Sequence, residues 1–130
     1  RTSSSAASDV YKRQVKEREA FGKPIAKFQN LRFKFAEMET KYRLNSSFIK
    51  ECIDLFQNNN LDTSSASMAK LASTETQCEV ADTCLQMFGG YGYMKEYPIS
   101  RAFADARIQK IYGGTSEIML ELISRDSLTI

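Results

Sequence analysis

Two glycine pairs, at 89–90 and at 113–114, are the residues of this chain best placed to meet a ligand. The first pair ends a helix-like stretch, and the second precedes residues 115–117, whose Thr-Ser-Glu order is a helix-start signal. Glycine at a helix end permits a positive φ, and a helix N-terminus offers backbone N–H groups to an anion. The two ends predict a phosphate-bearing ligand laid against the backbone, although ordinary capping explains such glycines more often.

Arg18 is the side chain with the clearest potential for binding an anion. It precedes Phe21, Gly22 and the bend expected at Pro24. The planar guanidinium matches the geometry and charge of phosphate oxygens. A helix that ends in a turn with a solvated arginine would give the same pattern without any ligand. The chain contains no histidine, so chemistry that needs imidazole as a base or metal ligand is excluded.

Three segments together resemble the C-terminal domain of acyl-CoA dehydrogenases. They are REAFGKPIAKFQ (18–29), QMFGGYGYMKEYP (86–98) and DARIQKIYGGTSEIM (105–119), in the order and at the spacing of that family. The resemblance implies an FAD-dependent oxidation of fatty acyl-CoA to trans-2-enoyl-CoA by the whole enzyme. A carboxylate would remove the α-proton while the flavin accepts a hydride.

The resemblance also implies which residues contact the cofactor. Arg18 would reach the pyrophosphate of a flavin held mainly by the neighbouring subunit, whereas residues 114–117 would touch the flavin of their own subunit. The expected cofactor residues are Arg18, Phe28, Gln29, Gln86, Phe88, Gly89, Gly90, Gly114, Thr115, Ser116 and Glu117. Phe28 and Gly89 also have plain structural explanations, as a helix core residue and a helix cap.

No catalytic residue can be named in this chain. Many members of the family place the glutamate base where Gly113 stands, and glycine cannot do that chemistry. The long-chain and isovaleryl types are similar in having a small residue there, with the base on the preceding helix, which is expected upstream of this chain. Tyr112 and Gly113 would flank the substrate thioester. Glu117, one turn away, is not expected to replace the base.

Composition is that of an ordinary globular domain. The 130 residues are 42% hydrophobic and 26% charged, with a net charge of +2 from interleaved rather than clustered charges, which gives no case for nucleic acid. No apolar run approaches the ~20 residues of a membrane span. The cysteines at 52, 78 and 84 lack metal-ligand spacing and predict reduced thiols and no metal site. Residues 1–14 lack the apolar core of a secretory signal, and we expect them to be a leader foreign to the family, disordered or artefactual, before a domain at 15–130.

Helical periodicity dominates the rest of the chain. A heptad row predicts a helix over 28–57, with Phe28, Leu31, Phe35, Met38, Tyr42, Ile49, Cys52 and Phe56 on its apolar face and Asn45 as the one interruption. A second helix, capped by Asp62 or Thr63, is expected to reach Phe88. A shorter one begins at Pro98 with Ile99, Ala102, Phe103 and Ala106 on one side. The last begins near Thr115 and turns Ile118, Leu122 and Ile123 inward.

The expected fold is therefore all-α, an antiparallel up-down bundle without any sheet. The resemblance implies that most of the family's first bundle helix is missing. Because an uncovered apolar stripe of several hundred Å² costs ~10 kcal/mol, we predict that this polypeptide is poorly stable or self-associates.

Partners follow from the resemblance: an acyl-CoA substrate, a second copy in a homo-oligomer (dimer or tetramer), and an electron-transfer flavoprotein as acceptor. Nucleic acid and a membrane span are not expected. The location would be cytoplasmic in a bacterium and the mitochondrial matrix in a eukaryote. Two alternatives stay open. One is a non-catalytic helical dimerisation module, which the long heptad seam favours; the other is a fragment of an acyl-CoA oxidase.

Overall fold

The structure, a computed structural model, describes residues 12–14 and 16–129. Residues 12–14 and 16–17 have helical backbone. After them come β1 (Glu19–Ala20), β2 (Lys23–Pro24), a 3-10 turn (Ile25–Lys27), α1 (Gln29–Gln57), α2 (Thr63–Phe88), α3 (Gly90–Tyr93), α4 (Pro98–Gln109) and α5 (Ser116–Leu128). The all-α prediction is confirmed.

The helix boundaries are close to those the sequence predicts. Asp62 caps α2, because its Oδ1 accepts a hydrogen bond of 2.7 Å from the Ser65 N–H. Pro98 is the first residue of α4, where its missing N–H removes no helical bond. Thr115 caps α5 by accepting from the Ile118 N–H at 3.3 Å.

The expectation of no sheet is wrong in one place. β1 and β2 pair antiparallel, with Glu19 opposite Pro24 and Ala20 opposite Lys23. The two residues between them, Phe21 and Gly22, have φ of 52° and 76°. Positive φ at both positions produces the turn whose twist suits a tight hairpin. Strands of two residues are too short to show any period-two pattern, so they could not be predicted from periodicity.

Helix α2 is the centre of the bundle and packs against α1, α4 and α5. Residue numbers rise along α1 while those of their contact partners fall along α2: Lys41 contacts Glu79, Asn45 contacts Thr76, and Cys52 contacts the Ser65 carbonyl. The two long helices are thus antiparallel, as the short connection between them predicts. Two buried clusters flank the C-terminal half of α2, one made of Ile25, Met38 and Met87 and the other of Cys84, Phe88 and Ile99.

Only part of the predicted apolar stripe on α1 is covered. Met38 and Cys52 are buried, whereas Tyr42 and Phe56 are 56% and 70% exposed. In the described part of the chain α1 packs on α2 and on the 3-10 turn, so side chains at the edge of the stripe have no helix over them. The predicted self-association stays a prediction, and these exposed rings are its physical basis.

The shorter helices also differ from prediction at individual positions. Ile118 was expected to face inward but is 50% exposed, and Met119, the next residue, is buried instead. Leu122 and Ile123 are half-buried as members of the inner face. On α4, Ile99 and Ala106 are each 1% exposed, whereas Phe103 lies at the edge and is 39% exposed.

Of the predicted leader, residues 1–11 lie outside the described residues. Residues 12–14 are helical, and the Gln14 carbonyl accepts a hydrogen bond of 2.9 Å from the Arg18 N–H. Gln14 is therefore joined directly to the first candidate site residue. The domain boundary at residue 15 stays a prediction.

Candidate functional site

Arg18 lies against the C-terminal end of α2, although 69 residues separate it from its partner there. Its Nη1 donates a hydrogen bond to the carbonyl of Met87. That carbonyl belongs to the last turn of the helix, where carbonyl groups lack helical N–H partners. A guanidinium placed there complements the negative end of the helix dipole. Since a guanidinium has five donors, this bond leaves others for a ligand.

Gly89 is favoured as glycine first by its backbone and second by its close approach to Arg18. Its backbone has φ 58° and ψ −138°, a combination that residues with a Cβ rarely adopt. A Cβ built on it would also overlap the guanidinium of Arg18. The first and second family-like segments therefore meet here and form one corner, which we call the Arg18–Gly89 corner.

A groove of about 380 Å³ opens beside this corner, between the start of α1 and the end of α2. It is lined by Arg18, Ile25, Asn30, Leu31, Lys34, Asp82, Thr83, Gln86 and Met87. Two cations and two side-chain amides outnumber the one carboxylate, Asp82. This chemistry fits an anion such as a diphosphate better than a cation.

The other predicted residues of this region have unequal access to a ligand. Gln29, Gln86 and Gly90 are exposed. Phe28 is half-buried, and the ammonium of Lys23 lies 4.4 Å from the centre of its ring. Phe88 is 4% exposed and packs in the core with its ring edge-on to Tyr97 at 6.1 Å. Its side chain is therefore directed away from the groove, and any ligand contact of Phe88 would come from its backbone.

Several residues of this region are absent from the sequence-based site, among them Phe21, Asn30 and Lys34. Phe21 is 97% exposed at a positive φ of 52°, with its ring 6.3 Å from that of Phe28. A fully solvated aromatic in a strained turn is typical of a contact surface, but Phe-Gly is not a recognised hairpin pair. Lys34 lines the groove four residues after Asn30. That helical spacing places both on one face, but neither stands out in the sequence, because the family-like segment that ends at Gln29 does not include them.

The second glycine pair forms a separate corner between α4 and α5. Gly113 and Gly114 have φ of 65° and 97°, so both use conformations that favour glycine. The N–H groups that follow are less available to an anion than predicted. The Ser116 N–H donates to the Lys110 carbonyl at 3.1 Å, and the Ile118 N–H donates to Thr115 Oγ1. Tyr112 and Gly113 are exposed.

Helix α2 holds this second corner through charged side chains. Lys70 Nζ donates to the carbonyl of Gly114. Glu75 accepts from Lys110 Nζ at 2.8 Å and from Ser116 Oγ at 3.2 Å. The pKa of Glu75 is lowered, chiefly because Lys110 donates a hydrogen bond to its carboxylate, and further by Ser116 and by the charge of Arg107.

The two corners lie near opposite ends of α2. The contact residues Lys70 and Met87 are seventeen positions apart, which is about 25 Å along a helix. Within one copy the two glycine corners are therefore separate candidate sites. The implied pattern of one flavin from each of two subunits stays a prediction.

Glu117 is poorly suited to remove a proton. Its pKa is lowered, first by a hydrogen bond from its own backbone N–H and then by the Thr115 hydroxyl. A carboxylate stabilised in its charged form is a weaker base. This agrees with the expectation that Glu117 does not replace the glutamate missing at Gly113.

The cysteines are free thiols, with Cys52 and Cys84 buried. Burial raises the pKa of Cys84 to about 12, so this thiol stays protonated. Within residues 12–14 and 16–129, no group of three or more cysteine and acidic side chains could hold a metal ion. In the same part of the chain, no helix combines the length and apolarity that a membrane crossing requires.

Comparison with known proteins gives a consistent family. The family profile described as "Acyl-CoA dehydrogenase, C-terminal domain" matches residues 3–128. The long-chain specific acyl-CoA dehydrogenase of Mus musculus mitochondria is 50% identical over 111 residues, which are 85% of this chain and 26% of that protein.

Solved structures agree with the profile. The crystal structure of an acyl-CoA dehydrogenase from Geobacillus kaustophilus matches with a TM-score of 0.88 and 39% identity, over 92% of this chain and 31% of the other. Butyryl-CoA dehydrogenase from Megasphaera elsdenii matches with a TM-score of 0.89 and 34% identity, over 95% and 32%. The chain thus spans about a quarter to a third of the length of these relatives. These matches show that the chain belongs to the acyl-CoA dehydrogenase family, of which it represents the C-terminal domain.

Proposed function

We propose that the chain is the C-terminal part of an FAD-dependent acyl-CoA dehydrogenase that oxidises fatty acyl-CoA to trans-2-enoyl-CoA. Its share of the work is to contact the flavin and to form part of an oligomer interface. The observation that supports this best is the Arg18–Gly89 corner. There the guanidinium of Arg18 meets a chain segment 69 positions later, at a glycine without room for a Cβ. A groove rich in hydrogen-bond donors lies beside them.

The groove fits the diphosphate of FAD. Arg18 offers a planar fork for two phosphate oxygens, and Lys34 adds a second positive charge on the same groove. Gln86 and Asn30 can donate to oxygens of the dinucleotide, and Phe21 presents a solvated ring to the same side as Phe28. When bound, FAD supplies the electron acceptor for oxidation of a carbon–carbon bond. The residues of this chain bind and orient it.

The second corner is proposed to face substrate and the flavin of its own subunit. Gly113 carries no base, and a Cβ placed there would meet only the Lys70 stem, 3.9 Å away. The open space suits Tyr112 and Gly113 as part of the wall around the acyl thioester. Thr115 and Ser116 lie at the start of α5, where their hydroxyl groups already bond to Glu117 and Glu75, so a flavin contact would require either hydroxyl to exchange its partner. The α-proton base is proposed to lie upstream of this chain.

A second copy is the proposed partner for the uncovered face of α1. Large apolar side chains are exposed on two sides of this helix: Tyr42, Ile53 and Phe56 lie along the predicted stripe, and Phe33 and Leu44 lie roughly opposite it. One dimer interface would cover one of these sides and a tetramer could cover both, and either assembly would bring the Arg18–Gly89 corner to the partner's flavin. An electron-transfer flavoprotein is the proposed acceptor. The proposed location is the cytoplasm in a bacterium and the mitochondrial matrix in a eukaryote.

Two alternatives make different predictions. A non-catalytic helical module would keep the bundle but would have no use for a donor-lined groove beside a strained glycine. An acyl-CoA oxidase would use the same flavin contacts but pass its electrons to oxygen. Oxygen consumption in the presence of acyl-CoA separates the oxidase from the dehydrogenase, and the absence of any bound flavin would favour the module.

The test is flavin occupancy of the protein expressed with the coding sequence that precedes this chain. We expect the purified protein to show the visible absorbance of bound flavin and to lose most of it with Arg18→Ala. Arg43→Ala is the matched control, because Arg43 is an exposed arginine whose partner Glu39 lies on its own helix. Full occupancy in Arg18→Ala would refute the phosphate role of Arg18, provided that Arg43→Ala is also fully loaded.

A further inference from the structure

We propose that Lys70 and Glu75 of α2 are positioning residues that hold the loop between α4 and α5 in the conformation required at the second corner. The loop, residues 110–115, carries Gly113, Gly114 and the cap residue Thr115. The effect of this loop on ligand binding rests on the proposed function. That two side chains of α2 hold the loop does not depend on the proposed function.

Three contacts from α2 reach this loop and the first residue of α5. Lys70 donates to the carbonyl of Gly114, and Glu75 accepts from both Lys110 and Ser116. Lys110 and Ser116 are the residues at the two ends of the segment, and they are joined by the Ser116 N–H donating to the Lys110 carbonyl at 3.1 Å. A single carboxylate therefore holds both ends, while Lys70 holds the middle.

The loop needs such support because its backbone is intrinsically adaptable. Gly113 and Gly114 have φ of 65° and 97°, and glycine can leave these values at little steric cost. Side chains before the pair offer little packing, since Tyr112 is 56% exposed and Ile111 is 48% exposed, and packing on the other side comes from the buried Met119 against Gly114. Hydrogen bonds therefore add to this limited packing in selecting one conformation.

An ordinary surface ion pair would not have this effect. Such pairs contribute little because both side chains are solvated and mobile. Lys110 differs, because its side chain is only 26% exposed and its ammonium is held close to Glu75. The same carboxylate receives the Ser116 hydroxyl, so loss of its charge would weaken two contacts together.

The chain offers a matched control on the same helix. Glu79 also forms an ion pair with a lysine, Lys41, at 2.6 Å, and its side chain is 48% exposed against 47% for Glu75. Glu79 connects α2 to α1 and does not touch the loop. Glu75→Gln and Glu79→Gln therefore remove the same charge from equally solvated sites, and only the first should affect residues 110–116.

Amide hydrogen exchange of the full-length protein, expressed with the coding sequence that precedes this chain, measures the effect directly. We expect Glu75→Gln to speed exchange at the Ser116 amide by about tenfold, the effect of losing one charge-assisted contact, and Glu79→Gln to leave it unchanged. Lys70→Met, which keeps an unbranched stem but removes the ammonium, should act like Glu75→Gln. Glu75→Asp should restore part of the protection if its carboxylate still reaches Lys110.

Two results would refute the positioning role of Lys70 and Glu75. Equal exchange at Ser116 in Glu75→Gln and Glu79→Gln would overturn the proposal. Loss of helical circular dichroism in both Glu75→Gln and Lys70→Met would overturn it as well, because these residues would then hold the bundle rather than the loop.

Flavin affinity of the full-length protein separates this inference from the proposed function. A loosened loop with unchanged flavin affinity and unchanged KM for acyl-CoA would leave the positioning role intact and refute the proposed ligand contacts of residues 112–117. An increase in flavin Kd or in KM that parallels the faster exchange would support both.

Discussion

Replacing Gly89 by alanine tests the Arg18–Gly89 corner at its most constrained atom. At φ 58° and ψ −138° a residue with a Cβ is strained by about 1–3 kcal/mol. The new methyl group would also overlap the Arg18 guanidinium and displace it from the Met87 carbonyl. Loss of a hydrogen bond to a charged group costs about 1.5–3 kcal/mol. Because the guanidinium is the end of a flexible side chain and can shift, the overlap costs less than a fully lost hydrogen bond, and we expect a total loss of about 2–4 kcal/mol.

The neighbouring glycine is the control. Gly90 lies in α3, has no positive φ, and a Cβ built on it would meet no atom within 4 Å. Alanine at such a position restricts the unfolded chain and stabilises the fold by about 0.4–1 kcal/mol. Two adjacent glycine-to-alanine changes should therefore alter stability in opposite directions.

Urea unfolding followed by far-UV circular dichroism measures both variants. The midpoint should fall for Gly89→Ala and stay or rise for Gly90→Ala, with the m-value unchanged. In an Arg18→Ala background, Gly89→Ala should cost only its backbone strain, so the double-mutant cycle should show a coupling of about 1 kcal/mol or more. Equal losses from both glycines, or no coupling to Arg18, would refute the reasoning.

Three further predictions concern the rest of the bundle. Ile99→Ala should destabilise by about 2–5 kcal/mol, because Ile99 is 1% exposed, whereas Ile108→Ala, at 48% exposed, should cost under about 1 kcal/mol in the same urea titration. Hydrogen bonds from Ser65 lower the pKa of Asp62 below its ordinary 3.8. The Asp62 carboxylate therefore stabilises the fold above pH 3.8, and this stabilisation is lost as pH falls through the pKa of the folded state. Asp62→Asn, which still caps α2 but does not titrate, should show a weaker acid dependence of its melting temperature, and an unchanged dependence would contradict this. Cys84, buried with its pKa at about 12, should resist a thiol reagent until denaturant is added, and rapid native labelling at Cys84 would show that the core opens.

Most of the fold could be predicted because it depends on local and periodic signals. The heptad row on α1, the Asp62 cap, Pro98 at the start of α4 and Thr115 at the start of α5 are all readable within a few residues. What could not be predicted is which edge of each helix has a neighbour. Tyr42, Phe56 and Ile118 fit the apolar pattern yet are exposed. Periodicity predicts the direction of an apolar face but not how much of that face a neighbouring helix covers.

The candidate site was predictable as a set of residues but not as an arrangement. Arg18 and Gly89 are far apart in sequence. Only the folded structure shows that the Arg18 guanidinium occupies the space that a Cβ at position 89 would need. Phe88 fitted the motif, but its ring belongs to the core with Ile99. Lys70 and Glu75 are polar residues on a long helix, and their role depends on a loop about forty positions later, which no local pattern reveals.

A structure of the flavin-loaded full-length oligomer tests the central claim most directly. We predict diphosphate oxygens at about 3 Å from the guanidinium of Arg18, beside Gly89, with the rest of that flavin held by the partner subunit. Bound flavin whose diphosphate contacts neither Arg18 nor the groove next to it would contradict the account.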